Sequence, residues 1–187
     1  MKVITIQNKQ VLHMLQTEGC VKVKHTGDNH ILKSYEFMRR EYNWETSPIF
    51  LAPVEYRINL YGAHLEDSVC LILDIPEELI KLQKYYTWTD FIYFLERPEE
   101  LQESYNYESV EELGKHALFD EVNRITDCVQ ATVEYLSKEW LVGVIRDLSI
   151  INKFYGTGGN FVLKENFIKT YVTKESKGSL LDIAKNV

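Results

Sequence analysis

The sequence predicts an α+β fold, a single domain in which short central mixed or antiparallel sheets are flanked by helices. Residues 129–135 alternate apolar and polar side chains, the pattern of a strand with one face on a core. Residues 69–75 form a continuous apolar run and give the strongest strand signal in the chain. Helix-capping patterns lie between such runs. A chain of 187 residues is long enough to bury a sizeable core within one domain.

The first residues predict two strands with a helix between them. The β-branched run 3–6 indicates a strand, and Asn8 caps a following helix that Gly19 ends. Residues 21–24 alternate valine with lysine and predict a brief edge strand, on which outward lysines discourage unwanted pairing.

Two further elements precede the strand at 69–75. A helix is expected over 30–43, because its apolar residues recur on one side. The run 49–51 indicates a short strand that Pro53 closes. Residues 54–68 show no regular period and are expected to form an irregular loop or a ragged strand.

Proline and capping patterns predict two helices after that strand. Pro76 suits the first position of a short helix over 76–82. Thr87 and Asp90 have the spacing of a capping box and are expected to start a helix over 88–95.

A third helix and a central hairpin follow. Ser109 and Glu112 form a capping box that starts the helix. Residues 129–135 and 140–145 are expected to pair as a hairpin joined at Ser137 and Lys138. The second of these strands is almost entirely apolar, so we expect it to be buried on both faces.

The end of the chain differs in composition from the rest. We expect a core domain over residues 1–151 and a C-terminal extension over 152–187. The clustered glycines at 156–159 suit a linker between the two, because glycines mainly mark turns and loops. The extension is rich in lysine, and its positive balance opposes the acidic body.

Charge and composition exclude several classes of function. A formal net charge of −7 argues against a general nucleic-acid binder, since phosphate backbones are bound by lysine and arginine clusters. The five histidines lack metal-ligand spacing, and no metal site is expected. Cys70 and Cys128 lie in apolar runs and are expected to be buried, inert thiols.

The sequence also predicts a location in the cell. The chain turns polar at Gln7, too early for the apolar segment of a signal peptide. Its apolar runs are much shorter than a membrane span. We therefore expect a cytoplasmic protein that does not enter a membrane.

Three polar residues share one face of the strand at 129–135. Gln130, Thr132 and Glu134 provide an amide, a hydroxyl and a carboxylate. This face points either to water or into a cleft. The mixture of three hydrogen-bonding chemistries adds some weight to the cleft, and the face stays a candidate binding surface beside the solvated alternative.

Several short motifs, taken in order, resemble an uncharacterised family of small bacterial and phage proteins, a domain-of-unknown-function family. The resemblance covers roughly residues 1–145 and implies no established activity. The motifs are Ile4-Thr5-Ile6-Gln7 before a helix and Gly19, Tyr35-x-x-Met38, Pro48-Ile49-Phe50, Leu73-x-Ile75-Pro76, Trp88, and Val129-Gln130-Ala131-Thr132.

A second resemblance concerns the order of elements. A strand with a polar end, a helix and a glycine-closed turn open the chain, and Glu139-Trp140-Leu141-Val142 places a glutamate before a late apolar strand. In these respects the chain is similar to ADP-ribosyltransferase-like domains. The resemblance implies a transferase or glycohydrolase that holds NAD, or a related nucleotide, in a cleft between two small sheets.

The resemblance also implies roles for individual residues. Glu139 corresponds to the catalytic carboxylate, which stabilises the oxocarbenium-like state as nicotinamide leaves, and Glu134 is the competing candidate. Tyr35 would stack on the nicotinamide. The first strand offers Thr5 and Gln7 where such enzymes usually offer arginine or histidine. Gln130 and Thr132 would position the ligand.

An alternative hypothesis is a non-catalytic protein–protein interaction module in a phage–host or defence setting. Twelve tyrosines and three tryptophans are compatible with it, because aromatic side chains anchor interfaces. The two hypotheses differ in geometry. The enzyme requires Glu139 or Glu134 to converge with Gln7 and Tyr35 in one concave pocket. The interaction module requires a filled core at that place and an exposed apolar patch elsewhere.

Overall fold

A six-stranded antiparallel sheet organises the chain, which a computed structural model describes over residues 1–25, 29–59, 67–101, 107–152, 161–166 and 168–169. The strand order in this sheet is β6-β7-β3-β1-β5-β9, and two small sheets pair β2 with β8 and β4 with β10. The strands are β1 (Lys2–Asn8), β2 (Cys20–Lys22), β3 (Ile49–Pro53), β4 (Arg57–Ile58), β5 (Ser68–Asp74), β6 (Lys81–Lys84), β7 (Val129–Val133), β8 (Tyr135–Ser137), β9 (Leu141–Ile145) and β10 (Phe161–Val162).

Helices flank this sheet, and the predicted α+β class is confirmed. They are α1 (Lys9–Glu18), α2 (His30–Tyr42), α3 (Tyr85–Glu96), α4 (Val110–Phe119) and the single turn α5 (Ser149–Asn152). Short 3-10 turns occupy Glu77–Leu79, Pro98–Glu100 and Lys138–Trp140.

The predicted helix caps are confirmed where the signal was local. The Asn8 side chain accepts a hydrogen bond from the backbone N–H of Gln10 at the start of α1. Gly19 ends that helix with φ of 80°, a left-handed conformation that glycine adopts without steric cost. Ser109 accepts from the N–H of Glu112 at 3.1 Å and starts α4.

The helix predicted over 76–82 is wrong, and the start predicted for α3 is wrong as well. Only the 3-10 turn Glu77–Leu79 forms, and the chain then pairs with β7 as β6. This pairing brings Gln83 into the sheet and leads directly into α3, which begins at Tyr85. Thr87 therefore lies inside the helix and does not cap it.

The central hairpin is also wrong. β7 lies inside the sheet between β6 and β3, whereas β9 lies at the opposite edge next to β5. Between them, β8 pairs with β2. All of β7 is buried, including Gln130 and Thr132, while Val142 of the edge strand β9 is exposed. The strand with alternating side chains, β7, is thus covered on both faces. The apolar strand β9, which was expected to be buried on both faces, forms an edge of the sheet.

Both faces of the sheet carry a core. Along β5, Leu71 and Leu73 pack in a cluster with α1, whereas Cys70 and Ile72 pack in a second cluster with α5. Side chains of α2, α3 and α4 form a third cluster, against which Phe50 of β3 packs. Phe50 lies two residues from Ala52, a member of the second cluster, so the second and third clusters share one face.

Residues 161–169 contact the core over their described part. Leu163 and Ile168 are buried in the second cluster. The Glu55 carboxylate accepts a hydrogen bond from the backbone N–H of Glu165 at 2.7 Å and pairs with Lys164 at 3.2 Å. The proposed linker at 156–159 and the chain beyond residue 169 lie outside the described residues.

The packing of α4 against α2 and α3 depends on Gly114. A Cβ atom at this position would lie 2.7 Å from ring atoms of Phe37 and of Phe91. Overpacking a core costs about 1–3 kcal/mol, and the better helix propensity of alanine returns about 1 kcal/mol. We therefore expect Gly114→Ala to lower the free energy of unfolding by up to about 2 kcal/mol, measured by urea denaturation.

The neighbouring exposed position provides the control for this prediction. Lys115→Ala on the same helix should change the free energy of unfolding by less than about 0.5 kcal/mol. A Gly114→Ala variant more stable than the wild type would show that the two rings move aside at little cost.

Candidate functional site

The central strands β1 and β3 separate after a short ladder. They pair only at Val3 with Pro53 and at Ile4 with Ala52, although β1 continues along β5 as far as Asn8. In place of the next rung, the Thr5 hydroxyl donates a hydrogen bond to the Phe50 carbonyl oxygen at 2.9 Å. The two strands thus diverge and leave an opening within the sheet, which we call the splayed-strand cleft.

The splayed-strand cleft is a cavity of about 600 Å³, a size typical of small-molecule sites. The ends of β1 and β3 border it, and Gln130 of β7 also lines it. Tyr35 of α2 and Trp88 of α3 line it from the helices, and His25 comes from the segment after β2. Its place between the sheet and two helices results from the divergence of β1 and β3.

Aromatic side chains line one part of the cleft. The Tyr35 ring lies 5.4 Å from the Phe50 ring and 5.6 Å from the His25 ring, measured between centroids. The Tyr35 hydroxyl has no hydrogen-bond partner among the described residues. Burial raises the pKa of Tyr35 above its usual value, so the phenol stays protonated at neutral pH and can donate as well as accept.

Two amides and a hydroxyl supply the polar groups of the cleft. The Gln7 Nε2 donates to the Thr5 Oγ1 at 2.8 Å. Gln130 is 9% exposed, and its Nε2 donates to the Oε1 of the buried Gln83 at 3.2 Å. These bonds hold both glutamine side chains in fixed orientations at the cavity surface.

A buried polar network continues from Gln130 beneath the helices. The Gln83 Nε2 donates to the Thr132 Oγ1 at 2.6 Å and to the Tyr42 hydroxyl at 3.2 Å. Tyr42 in turn donates to the Leu118 carbonyl oxygen at 3.0 Å. The network joins the sheet to the ends of α2 and α4, and its members satisfy one another's hydrogen bonds.

The splayed-strand cleft carries no permanent charge over the described residues that line it. None of these residues is aspartate, glutamate, lysine or arginine. The walls combine aromatic and aliphatic side chains with neutral hydrogen-bonding groups. Such a surface suits the uncharged, planar part of a ligand.

A second cavity of about 340 Å³ adjoins the first, and both are lined by His25 and Tyr35. Its lining includes the cations Lys24 and Arg39 as well as the carboxylates Glu36 and Glu45. An Arg39 nitrogen lies 3.9 Å from a Glu36 oxygen, at the limit of an ion pair. Charge is therefore present beside the cleft but not among its own described lining.

The structure places four of the sequence-derived candidates together. Thr5, Gln7, Tyr35 and Gln130 all line the splayed-strand cleft. Thr132 lies one layer deeper, fully buried against Gln83, and does not line the cavity.

The two candidate carboxylates lie elsewhere. Glu134 accepts hydrogen bonds from the backbone N–H groups of Glu45 at 2.6 Å and Thr46 at 3.3 Å, so it fixes the segment that leads into β3. Glu139 is exposed in the 3-10 turn Lys138–Trp140, next to the C-terminal end of α1 through the bond from the Lys138 N–H to the Gly19 carbonyl oxygen. Neither of them is among the residues that line the cleft.

Sequence reasoning missed Gln83, Phe50, Trp88 and His25 as parts of the site. Gln83 has the weakest sequence signal of the four, because Lys81–Lys84 contains one apolar residue and lacks the pattern of a strand. Phe50 and Trp88 occur in ordinary apolar patterns that predict core positions equally well.

Neither the two buried cysteines nor any group of metal-ligating side chains provides a second site within the described residues. Burial raises the pKa of the Cys70 thiol to about 12 and that of Cys128 to about 11, which disfavours the reactive thiolate. Within the described ranges, no group of three or more histidine, cysteine, aspartate or glutamate side chains could hold a metal ion. No helix in the described part of the chain has the length and apolar character needed to cross a membrane.

Burial raises the pKa of Tyr42 to about 12, against the smaller opposing effect of its hydrogen bond with Gln83. The folded state thus favours the protonated phenol, whose stabilising effect is present below pH 10 and is lost as the pH rises through about 12. Tyr42→Phe should lower stability at neutral pH by about 1–3 kcal/mol, because Gln83 and the Leu118 carbonyl lose a partner. We expect this difference from the wild type to narrow between pH 8 and 11.5 in urea denaturation.

Gly114→Ala is the control for this pH dependence, because the substitution adds no titratable group. Its difference from the wild type should stay constant over the same range. A constant difference for Tyr42→Phe as well would contradict the raised pKa.

No family model matches the chain, and comparison with curated proteins and with solved structures gives no match. The resemblance to ADP-ribosyltransferase-like domains therefore stays an expectation drawn from sequence motifs. The function of the cleft has to be inferred from its own geometry.

Proposed function

We propose that this protein binds a nucleotide-type ligand in the splayed-strand cleft, with an uncharged planar ring against Tyr35 and Phe50. The observation that carries the proposal is the convergence of Gln7, Gln130 and Tyr35 on one cavity of about 600 Å³, whose described lining has no acidic residue, lysine or arginine. NAD is the first compound to test, since the sequence resemblance implies it and NAD contains an uncharged adenine ring with an exocyclic amine as well as a nicotinamide ring with a carboxamide.

The aromatic lining supports a planar ring. Tyr35 and Phe50 form a tilted pair that borders the cavity, and Trp88 adds a buried aromatic side chain. Stacking of a base on an aromatic side chain contributes about 1–3 kcal/mol and depends little on which base is bound. The absence of charge from the described lining suits a ring, which has to leave water to bind there.

The second cavity supports a ligand that also carries an anionic group. It shares Tyr35 and His25 with the first cavity and brings Lys24 and Arg39 next to it. A nucleotide that spans both cavities would place its ring among neutral groups and its phosphate near these two cations. Glu36 and Glu45 also line the second cavity and would oppose a highly charged group, which favours a ligand with few negative charges.

The proposal concerns binding, and no catalytic step is part of it. Cleavage of the nicotinamide–ribose bond requires negative charge close to the cation that develops on the ribose. None of the described residues that line the cleft is a carboxylate. A nicotinamide-release assay on wild type, Glu139→Gln and Glu134→Gln tests the step that the resemblance implies, and release that depends on one glutamate would assign it a catalytic role.

The alternative of a protein interaction module has less support. The interaction hypothesis requires a filled core around Gln7 and Tyr35, whereas both side chains line an open cavity. An exposed aromatic or apolar side chain is common on any protein surface and does not favour it.

The test is calorimetric titration of the full chain with NAD and with adenosine. Tyr35→Ala should weaken the affinity about 5- to 150-fold, the equivalent of losing about 1–3 kcal/mol of stacking. Tyr93→Ala is the matched control, because Tyr93 is an exposed tyrosine of α3 outside the cleft, and it should bind like the wild type. The proposal would be overturned if the wild type bound neither NAD nor adenosine at millimolar concentration. It would also be overturned if Tyr35→Ala bound them as tightly as the wild type does.

A further inference from the structure

We infer that the splayed-strand cleft selects ligands whose ring edge donates N–H hydrogen bonds, as an exocyclic amine or a carboxamide does. This inference rests on the proposed function and specifies the chemical class of its ligand. It follows from the direction of the hydrogen bonds that hold Gln7 and Gln130. Each of these directions can be traced to a backbone carbonyl oxygen, a group that only accepts.

Thr5 sets the direction of the hydrogen bond that holds Gln7. A hydroxyl has one proton, and the Thr5 proton lies on the bond to the Phe50 carbonyl oxygen at 2.9 Å. The Thr5 Oγ1 must therefore accept the bond from Gln7 at 2.8 Å. Only the amide nitrogen of Gln7 can donate, so the orientation of this amide follows from chemistry. Its Oε1 remains as an acceptor.

Tyr42 sets, through Gln83, the direction of the hydrogen bond that holds Gln130. Its proton lies on the bond to the Leu118 carbonyl oxygen, so the Tyr42 oxygen accepts from the Gln83 Nε2. The same nitrogen donates to the Thr132 Oγ1, which leaves the Gln83 Oε1 facing Gln130. Gln130 must then donate through its nitrogen at 3.2 Å. Its Oε1 is left as the second acceptor.

The free oxygen of Gln130 opens into the cleft. It accepts no hydrogen bond from any described residue, and no fully buried side-chain nitrogen or oxygen in the described part of the chain lacks a partner. The Gln130 Oε1 therefore keeps contact with solvent, and the residue lines the cavity. The Gln7 Oε1 likewise has no partner among the described residues, and Gln7 lines the same cavity.

Two fixed acceptors in one cavity favour a particular kind of ring edge. A ligand that covers them without supplying N–H groups leaves them unpaired, which weakens its binding about tenfold relative to a ligand that supplies them. Neither amide can turn over, because one N–H of each nitrogen is bound by the protein, so each oxygen keeps its place at the cavity. The cleft should thus prefer an amino-substituted ring over the same ring without the amine.

The experiment compares adenosine with purine riboside, which differ only in the exocyclic amine. We expect the wild type to bind adenosine about tenfold more tightly in calorimetric titration. Thr5→Val removes the acceptor that orients Gln7 and lets its amide turn over, so the ratio of the two affinities should fall towards one. Gln7→Met removes the acceptor oxygen from a half-buried side chain and should lower the ratio in a protein that keeps its fold, as circular dichroism would confirm.

Gln10→Met is the matched control. Gln10 is an exposed glutamine on α1 outside the cleft, and its substitution should leave the affinity ratio unchanged. Equal affinities of the wild type for adenosine and purine riboside would overturn the inference and leave the proposed function standing. Absence of binding by adenosine, purine riboside and NAD would overturn both.

Discussion

The constraint on which the rest of the structure depends is the burial of polar side chains at the centre of the sheet. Gln83 and Thr132 are fully buried, and Gln130 is nearly so. Leaving any of these groups without a partner would cost about 1–3 kcal/mol, so their positions are coupled. The coupling requires β6 to pair with β7 and requires Tyr42, near the end of α2, to approach Leu118 in α4. One network thereby fixes a sheet edge and the docking of two helices.

The same network bears on the cleft, because it holds one of the polar groups that line it. Gln130 is oriented through Gln83 from beneath the helices, whereas Gln7 is oriented through Thr5 from the gap between β1 and β3. Both chains of hydrogen bonds end on backbone carbonyl oxygens. Since such oxygens cannot change from acceptor to donor, the polarity of the cleft is a consequence of the fold.

Local chemistry could be predicted from the sequence, and long-range pairing could not. The caps at Asn8, Gly19 and Ser109 depend on neighbouring residues and are confirmed. The strand at 129–135 alternates because its polar face meets Gln83, some fifty residues earlier in the chain, and a face that meets water would produce the same pattern. For this reason Gln130 could be singled out as a candidate, while its burial and the position of Glu139 outside the described lining of the cleft could not be foreseen.

The described groups that line the cleft suit the binding of a ligand better than its cleavage, because they include neutral dipoles and no carboxylate. In the binding that we propose, the amide oxygens would present partial negative charge to the ring and would pair with its N–H groups at little cost in rearrangement, because they are already fixed. A developing full positive charge requires a stronger partner than these dipoles, and the described lining offers no carboxylate. Glu134, the nearer candidate in sequence to this network, uses its carboxylate to hold the backbone of Glu45 and Thr46. The groups that reach the cleft thus suit the recognition that we propose, and Glu134, the acid that directly follows β7, is engaged in holding the chain that leads into β3.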